Sequence, residues 1–186
     1  MMNQAMNESD TRLAVRKAHE AEIADVVRLY QSAVGRSGCT WNAFYPTLEE
    51  ARSDYDHGGL YVALLDGRII GAASVVPENE LDDLPCWKAA RGGREIARVV
   101  VSAEYAGRGF GAAIVGQLLA ALKDGGCGAV HLLVAQSNPA AIATYRRLGF
   151  AFLGECFLYD NHYYACELIM KGQACGTACA PGAPDA

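Results

Sequence analysis

Apolar and polar residues follow two rhythms along this chain. Leu13 and Val15, extended by Ala18, alternate with Thr11, Arg12, Arg16 and Lys17, which predicts a first strand. After His19-Glu20-Ala21-Glu22 the rhythm changes. Ile23, Val26, Val27 and Tyr30 fall at i, i+3, i+4 and i+7, one face of a helix whose acidic first turn suits the helix dipole. Gly35 and Gly38 break it, and residues 40–46 form an aromatic, irregular stretch. Thr47 with Glu50 makes a capping box for a second helix reaching about His57. Gly58 and Gly59 end that helix. Two apolar runs of strand length follow, 60–65 and 68–76, on either side of Asp66-Gly67, a two-residue hairpin signal.

Residues 77–94 read as a loop too long for a plain connector, and loops of that length are usually functional. A strand over 95–101 leads through Gly107, Gly109 and Gly111 into a helix ending near Lys123. A fifth strand covers 130–134. Asn138 as N-cap and Pro139 at the first position open the next helix, which Gly149 ends. The last strands, 150–159 and 163–171, are joined by Asp160, Asn161 and His162. Strict alternation from Glu95 puts Ala97, Val99 and Val101 on its face and Arg98 on the other, where Arg98 would be an ion-pair partner elsewhere in the sheet. The expected architecture is α/β (α+β with a mixed sheet). It is a single domain over 11–171 with a six- or seven-stranded, mostly antiparallel sheet and about four helices on its two faces. A flexible leader (1–10) and a disordered tail (172–186) flank it.

Composition narrows the partners. The chain has 186 residues, 52% of them hydrophobic and 20% charged, enough to build one real core. A net charge of −5 and no Lys/Arg cluster argue against nucleic acid. No apolar run is long enough for a membrane span, and residues 1–10 contain no apolar signal segment, so a cytoplasmic protein without a membrane partner is expected. The seven cysteines do not fall into a paired metal-ligand pattern, which predicts reduced thiols and no metal.

Gly107-Arg108-Gly109-Phe110-Gly111 carries the chemistry. A strand, a glycine turn and a helix start present bare backbone N–H groups to a phosphate, and the helix adds about half a positive charge. Gly107, Gly109 and Ala112 also satisfy a dinucleotide-type Gly-x-Gly-x-x-Ala pattern. The next strand, however, ends in Val134-Ala135-Gln136 without the acid that would hold a ribose. The Gly-Lys-Ser/Thr of a nucleotide P-loop is absent as well.

Two stretches together resemble the GNAT superfamily of acyl-CoA-dependent N-acyltransferases. Residues 99–112, through Ala106-Gly107-Arg108-Gly109-Phe110-Gly111, are similar to that family's pyrophosphate loop, written (Gln/Arg)-x-x-Gly-x-(Gly/Ala). Residues 138–150 are similar to its Asn…Ala…Tyr…Leu-Gly-Phe segment through Asn138, Tyr145, Leu148, Gly149 and Phe150. Ala106 departs from the usual Gln or Arg, a loss of about one side-chain hydrogen bond, roughly 0.5–1.5 kcal/mol. The resemblance implies acetyl-CoA as co-substrate. Its pyrophosphate would lie on Ala106, Gly107, Arg108, Gly109, Phe110, Gly111 and Ala112, and its pantetheine along Val99, Val100 and Val101 and near Asn138. It further implies Tyr145 as the acid for the departing thiolate, and Glu95 as the base or the acceptor of a water relay.

The remaining candidates are weaker. His131 in an apolar strand reads as structural, and His162 in the last hairpin could reach a substrate. Trp41, Tyr45, Trp87 and Tyr159 lie in segments that would border the acceptor, as pocket walls or as a hold on a cationic amine. Covalent catalysis by a cysteine is the runner-up mechanism, without a recognisable His/Asp partner. The implied activity is acetyl transfer to a primary amine of a small molecule by direct attack in a ternary complex. A protein or peptide N-acetyltransferase and a non-catalytic CoA-binding sensor stand as alternatives, and a homodimer is compatible with each. Free amino acids, polyamines, antibiotics and protein N-termini all remain open as acceptors.

Overall fold

The computed structural model describes residues 13–76, 84–88 and 93–170; the expected leader, tail and most of the 77–94 loop lie outside the described residues. The elements run β1 (Ala14–Lys17), a 3-10 turn (Glu20–Glu22), α1 (Ile23–Ala33), α2 (Leu48–Asp56), β2 (Leu60–Leu65) and β3 (Arg68–Val76). Then come β4 (Gly93–Val101), a second 3-10 turn (Ala103–Tyr105), α3 (Phe110–Asp124), β5 (Ala129–Ala135), α4 (Pro139–Arg147), β6 (Ala151–Leu158) and β7 (Asn161–Ile169). Local chemistry accounts for many boundaries. Thr47 and Glu50 cap α2 reciprocally, and the Asn138 side chain accepts from Ala141 N–H at 3.0 Å ahead of Pro139. Asp66 and Gly67 both take positive φ, 51° and 75°, as a two-residue hairpin turn requires.

The strands form one seven-stranded sheet in the order β1-β2-β3-β4-β5-β7-β6. Every neighbouring pair is antiparallel except β4 and β5. The core has two layers. Ile23, Val26, Tyr30 and Ala51 of α1 and α2 pack on Leu60, Val62, Ala72 and Val100. On the other face Ile114, Val115, Leu118 and Tyr145 of α3 and α4 pack on Ile96, Val130, Leu132 and Val134.

Three expectations need correction. β4 begins at Gly93 rather than Glu95, because Gly93 and Arg94 already pair with Ala129 and Val130 of β5. The last hairpin turns at Tyr159-Asp160, both with positive φ (50° and 59°), so Asn161 and His162 belong to β7; Asn161 Nδ2 donates to the Tyr159 carbonyl at 2.7 Å. The third concerns faces. The β3–β4 register slips between the Ala72↔Val100 and Ser74↔Ala97 pairs, and Arg98 takes φ 51°, a β-bulge. Ile96, Val99 and Val101 therefore all face the α3/α4 core, while Val100 faces α1. Glu95, opposite in direction to Ile96, does not share a face with Val99 and Val101. Arg98 finds its ion partner in helix α2, not in the sheet.

Candidate active site

The glycine loop keeps its amides clear. Gly107 and Gly109 have φ 74° and 84°, and a Cβ on either would meet nothing within 4 Å. Backbone angle, not crowding, is what demands glycine here. Gly109 is the N-cap of α3 and supplies no side-chain cap, and the first turn of α3 contains no acid. The starts of α2 and α4, by contrast, are closed by Thr47 and Asn138. An open helix start with left-handed glycines before it is suited to an anion. Arg108 lies over the rings of Tyr105 (5.4 Å) and Phe110 (5.5 Å), which meet each other edge to face at 5.8 Å, so a cation is held on the loop itself. Ala106 is exposed and extended.

A cleft opens beside this loop. β4 and β5 pair only through Gly93↔Ala129, Arg94↔Val130 and Glu95↔His131. Beyond that point the two strands part, and the edge of β4 over Ile96 to Val101 no longer has β5 as partner. Main-chain groups of Val99 to Val101 thus flank the opening, although the Val101 carbonyl already accepts from Arg36 Nη1 at 2.8 Å. Gly38, at φ 79°, lies so near α4 that a Cβ there would come within 2.9 Å of Asn138 Cα; the α1–α2 connection and the α4 N-terminus are in close contact.

Tyr145 sits in α4, 8% exposed, edge-on to Phe150 with ring centroids 5.6 Å apart. Burial, with a smaller contribution from Cys166, raises its phenol well above the ordinary value. The group stays protonated at neutral pH, as a proton donor must. Glu95 is the last residue of β4 to pair with β5 and is also 8% exposed.

The bulge is anchored by a polar cluster under α1 and α2. Arg98 Nε and Nη2 donate to the two carboxylate oxygens of Asp54 at 2.8 and 2.6 Å, and Ser74 Oγ donates to the same carboxylate. Arg98 Nη1 donates to Tyr45 Oη at 3.1 Å. Burial opposes the Arg98 charge, but the Asp54 hydrogen bonds and charge outweigh it and raise its pKa. Tyr45's phenol is raised by burial, against the pull of Arg98, and the Glu95 charge raises it further. Tyr45, Arg98 and Glu95 therefore share one neighbourhood, with Tyr30 beside Ser74 but without a hydrogen bond of regular geometry.

The other sequence candidates separate. Trp41 packs edge-on against Tyr30 at 5.4 Å, while Tyr159 is 82% exposed at the hairpin turn. Trp87 covers His131 at 4.9 Å, and His162 lies on Phe157 at 4.9 Å. Tyr163 Oη and Thr40 Oγ1, 3.1 Å apart, tie β7 to the α1–α2 connection. Burial raises the thiols of Cys86 and Cys156 and pushes that of Cys166 up to about 12, which suits none of them to nucleophilic work. Among the described residues no cluster of His, Cys, Asp and Glu could hold a metal, and no helix is long and apolar enough to cross a membrane. His131, which reads from the sequence as structural, stands directly across from Glu95 at the apex of the cleft.

Comparison with known proteins places the chain in a family. Residues 24–150 match the Acetyltransferase (GNAT) family, and the chain belongs to it. No curated protein matches the chain by sequence. Among solved structures, a GNAT-family acetyltransferase from Streptococcus agalactiae superposes with TM-score 0.74 at 19% identity, covering 86% of this chain and 96% of its own. YncA of Salmonella typhimurium, a putative acetyltransferase solved with acetyl-CoA, gives 0.68 at 21% identity, covering 90% and 99%. The ribosomal-protein-alanine N-acetyltransferase of Brucella melitensis gives 0.68 at 22% identity, covering 84% and 99%. At these identities the likeness is one of fold.

Proposed function

We propose that the chain is an N-acetyltransferase moving acetyl from acetyl-CoA to a primary amine of a small molecule by direct attack in a ternary complex. The observation that carries this reading is the parting of β4 and β5 immediately after Glu95↔His131, with the uncapped start of α3 at the mouth of the opening. The residues present fit the co-substrate. Amides of residues 107–112 suit its pyrophosphate, with Arg108 adding charge, and the edge of β4 over Val99 to Val101 that β5 leaves unpaired, where Arg36 takes the Val101 carbonyl, suits the amides of its pantetheine arm. Asn138 keeps its capping bond and orients α4. Acetyl-CoA supplies the acetyl group as an activated thioester.

The chain's own groups handle the protons. Glu95, buried at the end of the paired section, takes a proton from the incoming ammonium so that a neutral amine attacks. Tyr145, held neutral by burial, gives its proton to the sulfur that leaves, and the N–H proton that the attacking nitrogen sheds on becoming an amide restores the phenol. A peptide N-terminus as acceptor is the second reading, favoured by the shared fold with the Brucella ribosomal-protein-alanine enzyme.

Thiol release from acetyl-CoA with a panel of amines and short peptides tests the proposal. Wild type should release thiol with at least one primary amine. Tyr145→Phe should lower kcat by about 10²-fold or more with the acetyl-CoA dissociation constant little changed. Retained acetyl-CoA binding without thiol release for any acceptor would instead support a sensor. An unchanged kcat in Tyr145→Phe would remove that residue as the acid.

A further inference from the structure

Three buried ionisable side chains stand in one row at the apex of the cleft. Glu95 of β4 pairs with His131 of β5, and His131 pairs with Glu167 of β7. Paired residues project from the same face of a sheet. Here it is the face opposite Ile96, Val130, Leu132 and Cys166, which fill the core under α3 and α4. All three are nearly removed from solvent: Glu95 is 8% exposed, His131 5% and Glu167 3%. Neighbouring strands lie about 4.8 Å apart, so a glutamate stands on either side of the imidazole within side-chain reach.

Two features hold the ring in the row. Gly93 precedes Glu95 by two residues on the same face, and a Cβ there would come 3.1 Å from His131 Nδ1. The bare backbone lets the imidazole lean over β4 at Gly93, two residues before Glu95 on the same strand. From above, Trp87 covers the ring at 4.9 Å and 32°. Its neighbour Lys88 fixes this cover by donating its backbone N–H to the Glu167 carboxylate at 3.1 and 3.2 Å. Burying two carboxylates is costly unless opposite charge or hydrogen bonds compensate them. A histidine between them, in a strand otherwise built of Val130, Leu132, Leu133 and Val134, is a poor choice for packing alone.

We infer that His131 is a proton relay behind Glu95, with Glu167 as its second carboxylate. The inference rests on the amine-acetylation reading above. The acceptor's ammonium N–H bond breaks and the Glu95 carboxylate takes the proton. That proton passes to the imidazole, where a new N–H bond forms, and the Glu95 carboxylate is restored. The imidazolium then lies between two carboxylates that balance its charge, and the amine nitrogen has its lone pair free for attack. Glu95 is faced by His131 across the strand pair and by Tyr45 from the α1–α2 connection, with Arg98 near; His131 is faced by Glu95, Glu167 and the Trp87-Lys88 segment. Because His131 acts through Glu95, it is a positioning residue and does not itself touch the acceptor.

The test uses the full chain with acetyl-CoA and a primary amine that supports thiol release, from mildly acid to mildly alkaline pH. His131→Asn should lower kcat by about 10²-fold. Its acetyl-CoA KM should stay as in wild type, and its pH profile should flatten as in Glu95→Gln. The double variant should lose no more than the worse single, since the two residues act as a unit. Glu167→Gln keeps shape and a hydrogen-bond acceptor for Lys88, and should lower kcat without moving KM. Additive losses, or a KM increase with an unmoved pH profile, would overturn the relay and leave His131 a structural residue. A second readout needs no acceptor: a far-downfield imidazole N–H proton in the NMR spectrum, lost in His131→Asn and lost or shifted in Glu95→Gln. Its absence from wild type overturns the row even if the enzyme acetylates amines. No thiol release with any amine would remove the acetylation reading and the relay together, and a persisting signal would then mark only a buried ion pair.

Discussion

Replacing Asp54 by alanine strands a guanidinium inside the protein. The Arg98 side chain is 11% exposed and that of Asp54 5%, and two N–H···O bonds of 2.8 and 2.6 Å join them. Hydrogen bonds to charged groups contribute about 1.5–3 kcal/mol each. Removing one partner of a buried pair costs about 3–5 kcal/mol, because the remaining charge has neither water nor counter-ion. Arg98 cannot escape by losing its proton, and Ser74 loses the acceptor of its hydroxyl at the same time. Against a total stability of about 5–15 kcal/mol, a loss of that size is readily measured. Urea unfolding followed by far-UV circular dichroism is the assay. Arg52→Ala, which removes the exposed pair with Glu20, should leave the midpoint essentially where it was. Combining Asp54→Leu with Arg98→Met should recover much of the loss, since no unpaired charge is left. A loss below about 1 kcal/mol for Asp54→Ala would place this pair with ordinary surface pairs and refute its role as anchor of the β4 bulge.

Other expected outcomes are simpler. Gly109→Ala forces a Cβ into φ 84° and should cost about 1–2 kcal/mol while weakening acetyl-CoA binding in calorimetric titration. Gly116→Ala, in mid-α3 with nothing within 4 Å, should instead stabilise by up to about 1 kcal/mol and leave acetyl-CoA affinity alone. Arg16 holds Glu22 down, chiefly by hydrogen bonding, to about 2 from an ordinary 4.5. Its folded-state value is depressed, so its stabilisation is present above pH 4.5 and is lost as pH falls toward 2. Glu22→Gln should therefore cost something under about 1 kcal/mol at neutral pH, and the gap from wild type should close over that acid window. A gap that persisted at pH 2 would contradict the ion pair as its source.

Local signals in the sequence reached most of the fold. Thr47 with Glu50, Asp66 with Gly67, and Asn138 with Pro139 act within a few residues, and each boundary they mark is where the structure has it. The alternation from Glu95 failed for a reason no neighbouring residue could reveal. Arg98 is held in a left-handed conformation by Asp54, far away in sequence, and one inserted residue reverses every later side chain of β4. The last turn lies earlier than expected because Asp160 and Asn161 are both turn-prone, while β7 extends through Asn161 and His162 to pair with Leu158 and Phe157. His131 was legible only as a lone histidine in an apolar run. Its meaning depends on the parallel register that sets it opposite Glu95, which follows from how β4, β5 and β7 assemble. The glycine loop was the most legible element, because positive φ at Gly107 and Gly109 leaves a direct mark on residue choice.

Product analysis tests the central claim most directly. Wild-type protein, acetyl-CoA and a panel of primary amines are incubated, and free thiol and acetylated products are counted together by thiol titration and mass spectrometry. The expected result is one N-acetylated amine formed for each CoA thiol released, with both falling in step in Tyr145→Phe and Glu95→Gln. Thiol released with acetate instead of an amide, or acetyl-CoA bound with no thiol released for any amine, would contradict N-acetyl transfer at the cleft between β4 and β5.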